Sequence, residues 1–217
     1  MKKLWVLGSQ TVKTKMGKAK LTEDEEFVVL RMKCKSTQHA CEELVKHVTQ
    51  VVDSVRCFSS NVKHIGHDIH ELNLECNPNV EPTSAILNRV GQNLENVNIQ
   101  TFENTMLQQI VKPIKDYTTH FASLKKMRRE LKNITLQMDY YRQRSPGSNK
   151  SKEKSRKYQL QYVTLNNKCK REMLKVLDMK GALFEQVVPL LMSTLLEWNI
   201  SNGRIMAELS TKSATWL

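Results

Sequence analysis

Glycine and proline are scarce in this chain. It holds seven glycines and five prolines among 217 residues, which is about half of the usual share of the two in globular proteins. All-β folds and α/β enzymes need frequent turns, and these two residues supply many of them. The scarcity argues against both classes. Phosphate-binding glycine loops of the GxGxxG or GxxxxGK[ST] type are also missing.

Long apolar runs are missing as well. No run approaches the roughly 18 apolar residues of a transmembrane helix. The apolar stretch of residues 4–7 is too short for a signal peptide. Five cysteines, an odd number without a framework spacing, indicate thiols in a reducing compartment. We therefore predict a helix-rich, soluble, cytoplasmic protein.

Two stretches rich in turn residues divide the chain. They are residues 76–83 and 144–151, and both combine proline with Asn, Ser or Gly. The predicted domain covers residues 21–210, after a tail of residues 1–20 and before a C-terminal tail of residues 211–217. Its three predicted helices span approximately residues 22–75, 84–143 and 153–210.

The first predicted helix has a regular heptad pattern. Steps of three and four from Phe27 to Leu72 meet apolar residues or cysteine at every position except Thr37. A pattern sustained over more than six heptads predicts a coiled-coil helix about 80 Å long. Thr22 and Glu25 have the spacing of a capping box at its start.

The other two helices continue the apolar pattern less regularly, and each contains a proline, Pro113 or Pro189. Three long helices joined by two turns predict an all-α fold, an elongated, antiparallel three-helix coiled coil. The prolines predict kinks that would bow this rod into a crescent. Residues 182–200 are apolar on more than one face, which predicts pairing with a second copy. The predicted homodimer core consists of Leu183, Val187, Leu191, Leu195 and Trp198.

The net charge of +12 is unevenly distributed. Residues 1–20 hold six lysines and no acid, whereas residues 21–111 hold 7 basic and 13 acidic residues. Residues 112–180 hold 19 basic and 6 acidic residues. The positive charge is therefore confined to the tail and to the second turn with its flanking helices.

Two basic clusters lie in the second of these regions. The first, in the middle of helix two, comprises Lys125, Lys126, Arg128, Arg129 and Lys132. The second, around the turn, comprises Arg142, Arg144, Lys150, Lys152, Lys154, Arg156 and Lys157. Either cluster alone is typical of a solvated helix face or a disordered loop. Because both clusters lie within residues 112–180, together they favour a surface that binds polyanions.

The N-terminal tail is the third basic element. On a helical wheel, Leu4, Trp5, Val12 and Met16 fall within about 120°. Lys2, Lys3 and Lys13 lie outside this apolar face. Val6, Leu7 and Lys15 depart from the separation of apolar and basic residues. This pattern favours an interfacial membrane helix, and a frayed terminus remains the alternative.

Residues 15–27, KMGKAKLTEDEEF, resemble the start of the BAR domain in amphiphysins and bridging integrators, the N-BAR group. Two further features are similar to that family: the place of the first basic cluster in helix two, and the V-x-P-[LI] stretch at residues 111–114. The chain looks like a divergent member. Residues 172–180 keep only the outline of the family's ELPxLxxSR-like stretch in helix three.

The resemblance implies a crescent homodimer, or a heterodimer with another BAR protein. Its basic concave face and tips would bind an anionic phospholipid membrane as a peripheral protein. It would sense or induce curvature in endocytosis, vesicle trafficking or actin-linked remodelling. The alternatives are a dimeric interaction scaffold or small-GTPase effector without strong lipid binding, and a cytoskeletal coiled coil. No nucleic-acid partner is expected, since no recognition motif for one occurs.

No catalytic residue, metal site or cofactor is predicted. His64, His67 and His70 recur at a spacing of three, but successive steps spread them over about 120° of a helix. They would share a metal only loosely, so solvated helix histidines are the expected interpretation. A three-helix rod also offers little of the concave, water-excluded volume that catalysis needs.

Overall fold

The structure is a computed structural model, and it describes residues 24–73, 81–94, 99–144 and 149–213. Every residue in these ranges except Asp24 is helical, and none is in a strand. This confirms the all-α prediction. The helices are α1 (Glu25–Asn73), α2 (Glu81–Asn93), α3 (Gln100–Asn104), a π-helical segment (Thr105–Val111), α4 (Lys112–Arg144) and α5 (Asn149–Ser213). The tail of residues 1–20 and Thr22 lie outside the described residues.

The chain divides into two compact units, and α1 and α5 contribute to both. Unit 1 comprises Met1–Ala40 and Tyr117–Gly181. Unit 2 comprises Cys41–Asp116 and Ala182–Leu217.

In unit 1, helices α1 and α5 run in the same direction. Near the start of α1, the Asn166 side chain of α5 donates a hydrogen bond to Asp24 at 2.7 Å. Further along both helices, the Cys34 thiol donates to the Met173 carbonyl oxygen at 3.9 Å. Because the two contacts advance in the same direction along both helices, α1 and α5 are a parallel pair.

Helix α4 runs against α5 in the same unit. The Tyr117 hydroxyl near its start donates to the Val176 carbonyl oxygen at 2.9 Å. Near its end, Tyr141 stacks on Tyr158, with ring centroids 5.6 Å apart and planes within 4°. The direction of the chain in unit 1 is therefore up, down and up.

The core of unit 1 contains two thiols, Cys34 and Cys169, which are 2% and 1% exposed. Burial raises the pKa of both thiols. Because a buried protonated thiol is a small apolar group, each cysteine takes a core position in place of an aliphatic residue.

In unit 2, helices α1 and α2 approach each other very closely. A Cβ on Gly66 of α1 would lie 2.6 Å from the backbone nitrogen of Asn88 in α2. A Cβ on Gly91 of α2 would lie 2.5 Å from the Cα of Lys63 in α1. Each glycine therefore makes room for the backbone of the opposite helix. Next to this contact lies an apolar cluster of Ile86, Val90 and Leu94, with Val62 and Ile205 packed against it.

The heptad stripe of α1 is only partly buried in unit 2. Four of its positions, at a spacing of seven, are exposed between 39% and 73%: Val51, Phe58, Ile65 and Leu72. Their C-terminal neighbours Val52, Ser59 and Gly66 are buried instead. A helix with 3.6 residues per turn drifts about 20° per heptad against a strict seven-residue repeat. The stripe therefore rotates away from its partners within the chain.

The break in regularity near Pro113 begins earlier than the sequence indicates. The π-helical segment Thr105–Val111 ends just before this proline, and the Lys112 amide donates to the Leu107 carbonyl oxygen, five residues back. Prolines and π turns are both established causes of helix irregularity. Pro189, by contrast, lies inside the continuous helix α5.

Candidate lipid-binding surface

Helix α4 presents the first basic cluster on unit 1. Lys125, Lys126, Arg129 and Lys132 are exposed, whereas Arg128 is half-buried. Side chains three or four residues apart lie on one face of a helix. The cluster is therefore a continuous cationic strip along α4.

A groove of about 700 Å³ beside α4 gathers further cations from α1. Arg31 and Lys35 line it together with four members of the strip: Lys125, Arg128, Arg129 and Lys132. We call this the α1–α4 groove. Sequence reasoning missed the two α1 residues because residues 21–111 are net acidic. Their spacing of four, beside the core positions Leu30 and Cys34, was the available signal.

The α1–α4 groove also has an apolar lining. It is formed by Phe27, Val28, Met32, Leu131 and Tyr162. Met32 is 65% exposed despite its size. The groove therefore offers cations and apolar contacts side by side.

Among the described residues, Asp24 is the single acidic residue that lines the groove. It is the N-cap of α1, and its carboxylate accepts the Phe27 backbone N–H at 2.9 Å. It also accepts hydrogen bonds from Asn166 at 2.7 Å and from the Lys170 ammonium at 3.1 Å. Lys170 in turn lies 2.6 Å from the Glu26 carboxylate. The acid is engaged locally, so the rim of the groove stays positive.

The same bonds hold the pKa of Asp24 below its ordinary value of 3.8, with the Phe27 backbone N–H as the largest cause. The hydrogen bonds from Asn166 and Lys170 act in the same direction, whereas burial opposes them. For Lys170, the hydrogen bonds to Glu26 and then Asp24 raise the pKa above 10.5.

Replacing Asp24 by Ala is expected to lower the free energy of unfolding by about 1–2 kcal/mol at neutral pH, because the helix loses its cap. The folded state binds the Asp24 proton less tightly than the unfolded state does. The contribution is therefore present above pH 3.8 and is lost as the pH falls through the lower folded pKa. Chemical denaturation at several pH values measures it.

The matched control is Asp24→Asn, which keeps a good N-cap and removes the titrating group. The difference in free energy of unfolding between the wild type and Asp24→Ala should become smaller as the pH falls. The difference between Asp24→Asn and Asp24→Ala should not, because neither variant has a titrating group at position 24. If the wild type became more stable relative to Asp24→Ala as the pH fell, the role of ionised Asp24 as the N-cap would be contradicted.

The second basic cluster surrounds the end of α4 and the start of α5, also in unit 1. Six of its members are exposed: Arg142, Lys150, Lys152, Lys154, Arg156 and Lys157. The side chain of Arg144 lies outside the described residues. The Lys154 ammonium stands 5.3 Å from the centroid of Tyr141, the ring that stacks on Tyr158. This cation–π contact fixes one cation of the cluster to the helix pair.

The predicted dimer residues occupy two environments in unit 2. Val187 is 2% exposed, and Trp198 packs on Phe102 with ring centroids 5.6 Å apart. Leu183, Leu191 and Leu195 are half-buried. The exposed apolar stripe of α5 lies beside them, 45–65% exposed, and comprises Val188, Met192, Leu196 and Ile200.

No group of three or more His, Cys, Asp or Glu side chains in the described ranges is placed to hold a metal ion. His64 and His67 are exposed on α1, and His67 lies 3.5 Å from the Glu71 carboxylate. Within the described part of the chain, no helix is long and apolar enough to span a bilayer.

A sequence model of the BAR domain matches residues 1–209 of this chain. The chain belongs to the BAR domain family. The resemblance noted at residues 15–27 is therefore confirmed at the level of the family. BAR domains are non-enzymatic scaffolds that generally dimerise, bind lipid and sense membrane curvature.

Solved BAR structures share the fold at low sequence identity. The amphiphysin BAR domain from Drosophila superposes with a TM-score of 0.65 at 16% identity, over 90% of this chain and 99% of that one. A BAR protein from Galdieria sulphuraria gives a TM-score of 0.68 at 12% identity, over 89% and 99% of the two chains. No curated protein matches the sequence.

Proposed function

We propose that this BAR domain is a peripheral membrane protein that binds anionic bilayers and senses or induces their curvature. One observation carries the proposal. Six cationic side chains line a single groove of unit 1, and the one acid among its described lining residues is engaged by Asn166 and Lys170. The second basic cluster belongs to the same unit.

The energetics favour binding through many weak contacts. Each Lys or Arg close to an anionic surface contributes about 1 kcal/mol. Two copies in one dimer double the number of contacts, and the second set binds as an intramolecular event. The tail of residues 1–20 is proposed to insert at the interface and strengthen binding. Endocytosis, vesicle trafficking or actin-linked remodelling is the proposed setting.

We further propose a homodimer formed through unit 2. Two apolar stripes of this unit are left exposed: one on α1, from Val51 to Leu72, and one on α5, from Val188 to Ile200. Monomeric proteins rarely leave large contiguous apolar patches open to water. A second copy of the chain would bury both stripes.

Replacing Met192 and Leu196 together by Glu is expected to convert the dimer into a monomer, because two charges would be buried at the interface. Analytical ultracentrifugation measures the change, at least about a hundredfold in dissociation constant. Circular dichroism serves as the control, since both side chains are already exposed and the helix content should stay unchanged. A dimer that persisted with full affinity would rule out the α5 stripe as the interface.

Co-sedimentation with vesicles tests the membrane function directly. The protein should bind vesicles that contain phosphatidylserine, bind neutral vesicles little, and be released by salt. Equal binding to both, or binding to neither, would remove the proposal. A protein that dimerised but bound neither kind of vesicle would favour the alternative function, a dimeric interaction scaffold without strong lipid binding.

A further inference from the structure

We infer that Ser155 is a phosphorylation site for a kinase that prefers basic substrates, and that phosphate there releases this part of the protein from an anionic membrane. The inference deepens the proposed membrane function and rests on it. It adds a modified residue, a class of modifying enzyme and a way to reverse binding.

Ser155 lies inside the second basic cluster. Four exposed cations stand three and one residues before it and one and two residues after it: Lys152, Lys154, Arg156 and Lys157. Glu153 is the only acid among residues 149–157. Kinases select their substrates by the pattern of charge around the acceptor. A kinase with an acidic substrate cleft therefore fits this segment.

The first turns of α5 are weakly packed around this serine. Ser155 is half-buried, and no side chain between Asn149 and Tyr158 is fully buried. The first turn carries two lysines and no acid, which is the unfavourable charge for a helix N-terminus. Opening these turns therefore exposes little apolar surface. The cation–π contact of Lys154 with Tyr141 must break as well, but such contacts are weak at the surface.

The reaction transfers the γ-phosphoryl group of ATP to the Ser155 Oγ. A P–O bond forms at Oγ as the bond to the β-phosphate oxygen breaks. The hydroxyl proton passes to a base of the kinase, ADP leaves, and no group is oxidised or reduced. A phosphatase reverses the change with water, which restores the hydroxyl and releases inorganic phosphate.

Phosphate at this position opposes the charge of the cluster. A phosphoserine carries about −1.5 to −2 at neutral pH, against the six exposed cations of the second basic cluster. Lys152 lies three residues before Ser155, on the same face of α5, so its ammonium would pair with the phosphate instead of the membrane. Because each cation near an anionic surface adds to binding, the cluster loses attraction and the phosphate adds repulsion.

The first test treats the purified full chain with ATP and the catalytic domain of protein kinase C, and locates phosphate by mass spectrometry. We expect stoichiometric incorporation at Ser155. Ser151, which has one lysine on each side, is the internal comparison. Phosphate on Ser151 or other serines with Ser155 unmodified would overturn the assignment, and so would a chain that takes up no phosphate.

The second test measures co-sedimentation with phosphatidylserine vesicles before and after phosphorylation. The modified protein should bind at least about tenfold more weakly, and phosphatase should restore the affinity. Ser155→Ala should bind as the wild type does, with or without kinase treatment. If treated Ser155→Ala lost binding equally, phosphate elsewhere would be responsible and the assignment to Ser155 would be wrong.

Two single substitutions test the charge without a kinase. Ser155→Glu and Asn167→Asp each add one carboxylate to α5 within unit 1. Asn167 is exposed and lies about 18 Å further along the helix, beyond the Debye length of about 8 Å. Ser155→Glu should weaken vesicle binding at least about threefold, whereas Asn167→Asp should stay within about twofold of wild type. Equal losses would show that net charge alone governs binding.

Helix content and dimer affinity should not change on phosphorylation, because Ser155 belongs to unit 1 and the exposed apolar stripes belong to unit 2. Phosphorylated protein that bound vesicles as tightly as unmodified protein would overturn the switch and leave the membrane function standing. Unmodified protein that bound no vesicles would overturn the membrane function, while phosphate at Ser155 would still support the modification site.

Discussion

Reversing the charge of Lys125, Arg129 and Lys132 to Glu is expected to weaken binding to phosphatidylserine vesicles by at least about a hundredfold. Each lost cation removes about 1 kcal/mol, and each new carboxylate adds repulsion from the anionic surface. All three side chains are exposed on α4, so the fold should tolerate the change. Co-sedimentation across a range of lipid concentrations measures the loss.

The structure dictates which cations to reverse. Arg128 is half-buried, and its charge acts on the buried thiols of Cys34 and Cys169. A carboxylate at position 128 would therefore disturb the core of unit 1 as well as the surface. Leaving Arg128 unchanged keeps loss of binding separate from loss of fold.

The matched control reverses Lys33, Arg171 and Lys180, three exposed cations of unit 1 that do not line the α1–α4 groove. The total charge changes by the same amount in both variants. The control should bind vesicles at least about tenfold more tightly than the α4 variant. If the two lost binding equally, the net charge of the chain would explain the affinity and the proposed surface would be wrong.

Replacing Gly66 or Gly91 by Ala is expected to destabilise the protein by about 1–3 kcal/mol. Alanine is the better helix former by about 1 kcal/mol, so local propensity alone predicts the opposite sign. Overpacking prevails here because the new Cβ would lie 2.6 Å or less from backbone atoms of the opposing helix. Backbone atoms cannot rotate aside as the end of a side chain can, so α1 and α2 would have to separate.

Gly181 and Gly203 of α5 provide the control, since an added Cβ meets nothing within 4 Å at either position. Alanine there should stabilise the protein by up to about 1 kcal/mol. Chemical denaturation at one fixed protein concentration compares all four variants, because the stability of a dimer depends on concentration. Stabilisation at Gly66 or Gly91 would contradict the close approach of the two helices.

The sequence by itself determined the class of the fold and the location of charge. Few glycines and prolines, heptads from Phe27 to Leu72 and two turn-rich stretches predict long helices. These are local properties, since helix periodicity and turn chemistry act over a few residues. The motif at residues 15–27 was specific enough to indicate the BAR family. Counting charge by segment located both basic clusters within residues 112–180.

The tertiary structure alone decided which apolar and polar side chains meet. On α1 the heptad does not reveal that Val52 is buried while Val51 is exposed, and on α5 the exposed stripe passes through Leu196 beside the predicted Leu195. A helix in a bundle has partners on more than one side, and periodicity fixes the apolar face without fixing which partner covers it. Partners come from residues far apart in the chain: Asp24 meets Asn166, and Gly91 meets Lys63. Local sequence rules hold no information about such pairs, and the α1–α4 groove depends on them.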